Sequence, residues 1–312
     1  MKNISTTDAF GKSIVTLGGN NERIVVLNAD LAAATKTQEF GKLFPERCIN
    51  MGIAEQNMTC FAVGLATVGL IPLACSFAVF STGRAFDQIR QSICYPKMNI
   101  KIIGTHGGIS VGEDGATHQA VLDIALMRSL PNMTVIVPSD AVETEKAVAE
   151  IIRYFGPVYL RLGRSPVPVI HAESMDFQIG KAKTLRQGCD VAIIANGLMV
   201  SRALEAAEIL QKEAINAMVV NMHTVKPIDE RVVMDAVKTK RIVTVEEHSV
   251  IGGLGSAVND CIIRNNLNDG VKVANVGIQD CFGQTGDADK LLEYYGLTSS
   301  RIADQVRKLM FD

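Results

Sequence analysis

Short β-branched runs alternate with helical stretches along nearly all of this chain, and that alternation leaves few folds open. Residues 23–27, 71–77, 100–104, 134–137 and 158–162 read as buried strands. Between them, 55–68, 82–95 and 141–154 carry the spacing of helices. Strands separated by helices of about ten or more residues neighbour one another as parallel strands, with the crossovers covering both faces of the sheet. The pattern pauses at Ser165-Pro166-Val167-Pro168-Val169-Ile170-His171, and a polar run follows as far as Gly188. It then restarts, with strands at 191–195, 218–222, 242–245 and 271–276 and helices at 201–214, 229–239, 255–265 and 287–295. The expectation is an α/β protein of two consecutive three-layer α/β/α domains with mainly parallel sheets. The first spans 1–165, a linker spans 166–187, and the second spans 188–312.

Length and composition narrow the function. A chain of 312 residues is long enough for two domains with cores of their own. Hydrophobic residues at 47% and charged residues at 21% fit a globular protein in water. A net charge of -2 offers no field to attract nucleic acid or an anionic membrane, so neither is expected as a partner. The N-terminal segment lacks the apolar core of a signal peptide. The most apolar stretch, 61–80, is interrupted by glycines and a proline, and reads as a buried helix, a turn and a strand, not a membrane span. Seven cysteines are scattered without a Cys-x-x-Cys pair, as in reduced cytoplasmic proteins.

Chemistry concentrates in a few places. Glu55, in Gly52-Ile53-Ala54-Glu55-Gln56-Asn57-Met58, opens a helical run among apolar neighbours. It serves either as a helix-dipole partner or as a desolvated carboxyl that holds a proton at neutral pH and donates it to a ring nitrogen. Phe77 and Phe80 follow a strand, either as core residues or as a flat wall for an aromatic heterocycle. The loop from Gly104 to His118 carries five glycines with His106, Glu113, Asp114 and His118, after a buried strand. Ligands of α/β sheets bind at the carboxyl ends of strands, so this reads as a polar-ligand loop. Its histidine spacing matches no familiar metal-ligand set, and none of these residues is expected to hold a metal. Arg161 and Arg164 end the last strand of the first domain, as surface ion pairs or as an anion clamp. Gly252-Gly253-Leu254-Gly255-Ser256 lacks the Gly-x-Gly-x-x-Gly spacing and reads as a structural turn into a helix.

Several of these segments, in this order, resemble transketolases. They are Gly-Ile-Ala-Glu-Gln-Asn-Met, Arg84-Ala85-Phe86-Asp87-Gln88-Ile89-Arg90, Gly-Glu-Asp-Gly-Ala-Thr-His-Gln, Val137-Pro138-Ser139-Asp140 and Val245-Glu246-Glu247-His248. The likeness covers nearly the whole chain and corresponds to the second half of a full-length transketolase, its pyrimidine-binding and C-terminal domains. The resemblance implies thiamine diphosphate as cofactor, which carries the carbanion chemistry while the protein tunes it. It also implies that Glu55 is catalytic, bonding the N1′ nitrogen of the aminopyrimidine, with Phe77 and Phe80 as the stacking wall. Asp30 is then near the cofactor at a subunit interface. Asp114 and His118 hold substrate hydroxyls, His118 also counting as catalytic, and His106 and Arg164 form the phosphate end of a sugar site.

Two departures matter. The Gly-Asp-Gly and Asn-Asn motif that holds Mg2+ or Ca2+ and the diphosphate in this family is missing. The sequence begins where the second domain should begin, at a methionine suited to initiation. The resemblance therefore implies a split enzyme, with the cation held by a separate N-terminal, diphosphate-binding subunit and an α2β2 assembly, in the cytoplasm. In addition, Thr7 stands where transketolases commonly have an arginine, and Ala34 where they have a serine. Losing one charged anion contact costs ~1.5–3 kcal/mol, so the sugar recognised is expected to be unusual, a sulfonated analogue included, with Lys36 as a nearby substitute cation. The leading function is ketol transfer from a ketose phosphate to an aldose phosphate. A deoxyxylulose-phosphate-synthase-like or pyruvate-dehydrogenase-β-like subunit is the alternative, and a non-catalytic partner module is the reading from a different class.

Overall fold

The structure, a computed structural model, describes residues 2–311. Among them, the first sheet has seven strands in the order Thr224–Lys226, Thr134–Ile136, Val158–Arg161, Lys101–Thr105, Ile71–Phe77, Ile24–Asn28 and Cys48–Asn50. Neighbours run parallel except Thr224–Lys226, which lies antiparallel to Thr134–Ile136. The second sheet orders Lys272–Ile278, Arg241–Ser249, Val191–Ala195, Ala217–Asn221 and Lys183–Arg186, with only the last antiparallel. Central strands such as Ile24–Asn28 and Val191–Ala195 are buried at every position. They therefore read as unbroken apolar runs, not as alternating ones. The mainly parallel α/β architecture is the one the alternation predicts.

The strand Thr224–Lys226 is the surprise of the topology. It lies in the C-terminal half of the chain yet completes the edge of the first sheet, so the two halves share hydrogen bonds as well as side-chain contacts. Within the segment expected to be a linker, Val167–Pro168 pairs antiparallel with Asn3–Ile4. Residues 82–95 do not form the single helix their spacing suggests. The chain turns through Ala78–Gly83 and Phe86–Gln88 and then widens into a π-type turn, Ile89–Cys94. That turn puts Ile89, Ile93 and Cys94 on one buried face, an i, i+4, i+5 set that the wider turn accommodates. The helices Thr6–Asn20 and Ser299–Phe311 were not read from the sequence. Nor is the helix Glu55–Thr67 wholly buried, since Phe61 is 41% exposed.

All seven cysteines are free. No helix among the described residues is long and apolar enough to cross a membrane.

Val137-Pro138-Ser139-Asp140 works as a latch. Asp140 caps the helix Ala141–Arg153 by accepting from the Glu143 amide at 2.8 Å. Its other oxygen accepts from the amides of Ile170 and His171 at 2.7 and 2.8 Å, and lies 3.1 Å from the His171 ring. Glu143 answers by accepting from the Ser139 amide and hydroxyl, both at 2.7 Å. Burial opposes ionisation of Asp140, but the His171 ring and these amides more than offset it and hold its carboxyl below the usual range. An Asp140→Ala protein should lose about 3 kcal/mol of stability, because a helix cap and two buried amides lose their acceptor together. Urea denaturation at neutral pH measures it, and a loss under ~1 kcal/mol would mean the latch is not closed in solution.

Candidate active site

Every sequence-predicted site residue lies at, or just beyond, the carboxyl end of a strand in the first sheet. Asp30 follows Ile24–Asn28, and Glu55 follows Cys48–Asn50. Phe77 ends Ile71–Phe77, with Phe80 in the next turn. His106, Asp114 and His118 share the connection after Lys101–Thr105, and Arg164 follows Val158–Arg161. Parallel strands present all these ends along one edge, which is where α/β sheets bind ligands.

Glu55 is the first residue of the helix Glu55–Thr67 and only 3% exposed. It is not the isolated carboxylate the sequence suggested. Its Oε1 accepts from Arg84 Nη1 at 2.9 Å. The same guanidinium lies 4.1 Å from the Phe80 ring centroid. Arg84 therefore bridges the acid to the aromatic wall, a link the sequence motif contained but did not disclose. Beyond Phe80 the stack continues. The Phe77 and Phe80 rings lie 5.9 Å apart and nearly parallel, and His106 stacks on Phe77 at 4.0 Å. His118 meets Phe80 edge-on at 5.2 Å. Phe77 thus gives one face to His106, and Phe80 is the half-buried member of the wall.

Next to this stack is a groove of about 430 Å³. Phe77, His106, Asp114 and Arg164 line it together with Thr7, Ala34 and Lys36. The two positions that depart from the transketolase pattern thus face the same space as the predicted sugar-site residues. The Thr7 hydroxyl is already committed, donating to the Gly163 carbonyl at 2.8 Å. Ala34 has no donor to offer. Two cations remain, both half-exposed. Lys36 pairs with Asp8 at 3.1 Å, and Arg164 lies 3.6 Å from Asp114. His106 adopts a left-handed φ of 58° that presents its ring to Phe77. Burial, helped by the positive charge of Arg164, pushes its pKa down to about 4. It enters the groove as a neutral imidazole. Asp30 does not line the groove and accepts from the Asn50 side-chain amide at 2.9 Å.

Arg161 is not an anion clamp. It is 5% exposed, bonded to Asp123 at 2.7 Å, and donates to the carbonyls of Ala120 and Glu247. The Gly252–Ser256 turn is structural, as its spacing suggested. The amides of Leu254 and Gly255 at the helix start donate to the buried Glu246 carboxylate at 2.6 and 2.8 Å. That carboxylate occupies the position a phosphate would need. A Cβ at Gly253 would collide with it, which explains the glycine.

Comparison with known proteins identifies the family. The family model for the transketolase pyrimidine-binding domain matches residues 2–169, and that for the transketolase C-terminal domain matches residues 180–302. A protein of Methanocaldococcus jannaschii named as a transketolase C-terminal section is 49% identical, over 96% of this chain and 95% of its own length. A 6-deoxy-6-sulfo-D-fructose transketolase subunit of a Clostridium species is 43% identical over 95% of this chain and 91% of its own. Human transketolase is 38% identical over 98% of this chain but only 49% of its own length. The chain therefore spans about half of that longer relative. A solved structure described as a split gene transketolase, inactive beta4 tetramer, superimposes with a TM-score of 0.90 at 48% identity, covering 99% of both chains.

His106 supplies a test of the groove. Its folded pKa lies below the 6.5 of an ordinary histidine. The stability this group contributes is complete above pH 6.5 and is lost as pH falls through about 4. The loss should total ~3 kcal/mol. A His106→Phe protein, which keeps the stack, should lack that component when urea midpoints are compared across the range. Equal acid sensitivity of the two proteins would show that the imidazole is not held neutral.

Proposed function

The chain belongs to the transketolase family, and on that premise we propose that it is the cofactor-activating half of a two-subunit, thiamine-diphosphate-dependent ketol transferase. The observation that carries this is the Glu55–Arg84–Phe80 arrangement. A flat, nitrogen-rich cation already lies on Phe80 and bonds Glu55. A planar nitrogen heterocycle would take that cation's place, stacking on the same ring and taking a hydrogen bond from the same carboxyl. Thiamine diphosphate, when bound, would supply the electron sink that stabilises the carbanion of the transferred two-carbon unit. Glu55 would hold the proton at the pyrimidine N1′ atom, with Phe80 and Phe77 fixing the plane of the ring. Arg84, whose side chain is half-exposed, must release Glu55 for this. His106, Asp114, His118 and Arg164 would orient the sugar, and Asp30 would face the neighbouring subunit. The domain limits 1–165 and 188–312 belong to the same proposal.

The diphosphate and its Mg2+ or Ca2+ would be held by a separate N-terminal subunit in an α2β2 assembly, in the cytoplasm. Support comes from coverage, since the chain matches nearly all of its shorter relatives and half of the human enzyme. It also comes from an open helix face. Asn57, Cys60, Phe61 and Gly64 are exposed at i, i+3, i+4 and i+7 of the helix that Glu55 begins. Ile53 and Val68, both 75% exposed, flank them. Apolar surface beside a buried acid is suited to a partner that closes the site.

The groove favours a second reading of the terminal group. With the Thr7 hydroxyl committed and Ala34 silent, Lys36 and Arg164 recognise an anion by charge more than by a fixed set of hydrogen bonds. A sulfonate suits that arrangement, and one relative is named for a sulfonated fructose. Purified with its partner, the pair should be assayed with fructose 6-phosphate and with 6-deoxy-6-sulfofructose as donors. A sulfonate preference supports the second reading, a phosphate preference supports the ordinary one, and product from pyruvate as donor would replace both with the synthase. Glu55→Gln should lower ketol transfer at least ~100-fold, the scale of losing a positioned proton donor, with the fold intact. Undiminished transfer would remove Glu55 from catalysis.

A further inference from the structure

The strand Arg241–Ser249 ends in three buried ionisable residues, and each points to a different place. Glu246 closes the start of its own following helix. His248 accepts from the Ala125 amide at 3.3 Å. Glu247 leaves its own sheet altogether. Its Oε1 accepts from the Ser110 amide at 2.6 Å, in the loop that joins His106 to Asp114. It is 4% exposed.

The loop is built around this carboxylate. Gly108 has φ of +88°, and a Cβ there would run into Glu247. The same strand is also tied to the first sheet and to the backbone that follows the loop. The Arg161 guanidinium donates to the Glu247 carbonyl at 2.9 Å, and the Ser249 amide donates to the Val121 carbonyl at 2.9 Å. Farther along, the Gln119 side chain donates to the Gln284 carbonyl at 2.9 Å. The polar loop is therefore held by the C-terminal half at Ser110 and again just past His118, at Gln119 and Val121. A buried carboxylate is an expensive fastener when an apolar pair would hold two surfaces together equally well. What the carboxylate adds is a directed acceptor for one amide, which fixes the path of a glycine-rich backbone.

We propose that Glu247 is a positioning residue for the sugar-binding loop, through which the C-terminal half sets the placement of His106 and Asp114. This rests on the reading that the groove takes the sugar, but the clamp itself can be measured without substrate. Hydrogen exchange on the unmodified protein should find the amides of 107–112 protected like those of the strand Lys101–Thr105. Exchange as fast as in the exposed segment 266–270 would overturn the proposal, with no variant needed. Glu247→Met, similar in size without an acceptor, should speed exchange in 107–112 about tenfold, while Glu247→Gln, which keeps one acceptor oxygen, should restore protection. In the complex with the partner subunit, Glu247→Met should raise KM for the anionic sugar about tenfold with a smaller change in kcat, and Glu247→Gln should recover most of it. Unchanged exchange in Glu247→Met would overturn the clamp. Faster exchange with unchanged KM and kcat would leave the clamp standing and overturn the assignment of the loop to the sugar.

Discussion

The Arg161–Asp123 bridge is the interaction on which the rest of this structure depends. It joins the strand Val158–Arg161 to the start of the helix Asp123–Ser129, and both partners are almost fully buried. Such a pair is costly unless further hydrogen bonds support it. Here the Tyr159 hydroxyl donates at 2.6 Å to the same Asp123 oxygen as Arg161, and the guanidinium reaches two carbonyls, Ala120 and Glu247, while the other Asp123 oxygen has no partner among the described residues. The second carbonyl belongs to the other sheet. One guanidinium thus ties together the first sheet, the end of the polar loop and the C-terminal half. Burial among these groups also pushes the neighbouring Glu247 up to about 7, with Arg161 pulling the other way.

This arrangement separates the parts that must be rigid from those that must exchange partners. The loop from His106 to His118 is fixed from behind, by Arg161, Glu247 and Gln284. The front of the site is different. Arg84 and Arg164 are half-exposed, and each pairs with an acid that the proposed chemistry also requires, Glu55 and Asp114. Ion pairs with one exposed partner are cheap to open because water replaces the lost contact. A site of this kind is preorganised in its backbone and adjustable in its cations.

Much of this was legible in the residues. Unbroken apolar runs separated by helical spacing fix parallel strands, and parallel strands fix the edge where ligands sit. Glu55, Phe77, Phe80, His106, Asp114, His118 and Arg164 stand out as candidates in the sequence through their local context, and the resemblance gives them roles. Asp30, expected near the cofactor at a subunit interface, accepts a hydrogen bond from Asn50. Arg161 and Arg164 looked equivalent, three residues apart at one strand end. Yet one is a buried structural bridge and the other lines the groove, because the strand ends at Arg161 and Arg164 lies in the connection beyond it. The motif residue Arg84 carried no sign of its role, since a guanidinium that spans an acid and a ring 29 and 4 positions away is defined by distance in space.

The sequence by itself determined the fold class and the family, and the placement of the candidate residues at the carboxyl edge, because those follow from local periodicity and short ordered motifs. Only the tertiary structure decided that Thr224–Lys226 would finish the first sheet, that Glu55 would be paired, and that Glu247 would reach across to Ser110. Each of these joins residues at least 29 positions apart, through hydrogen bonds whose energy depends on angle and ångström-scale distance. Local spacing sets which face a side chain takes. It does not encode which distant group will meet that side chain once two packed sheets have fixed their relative position.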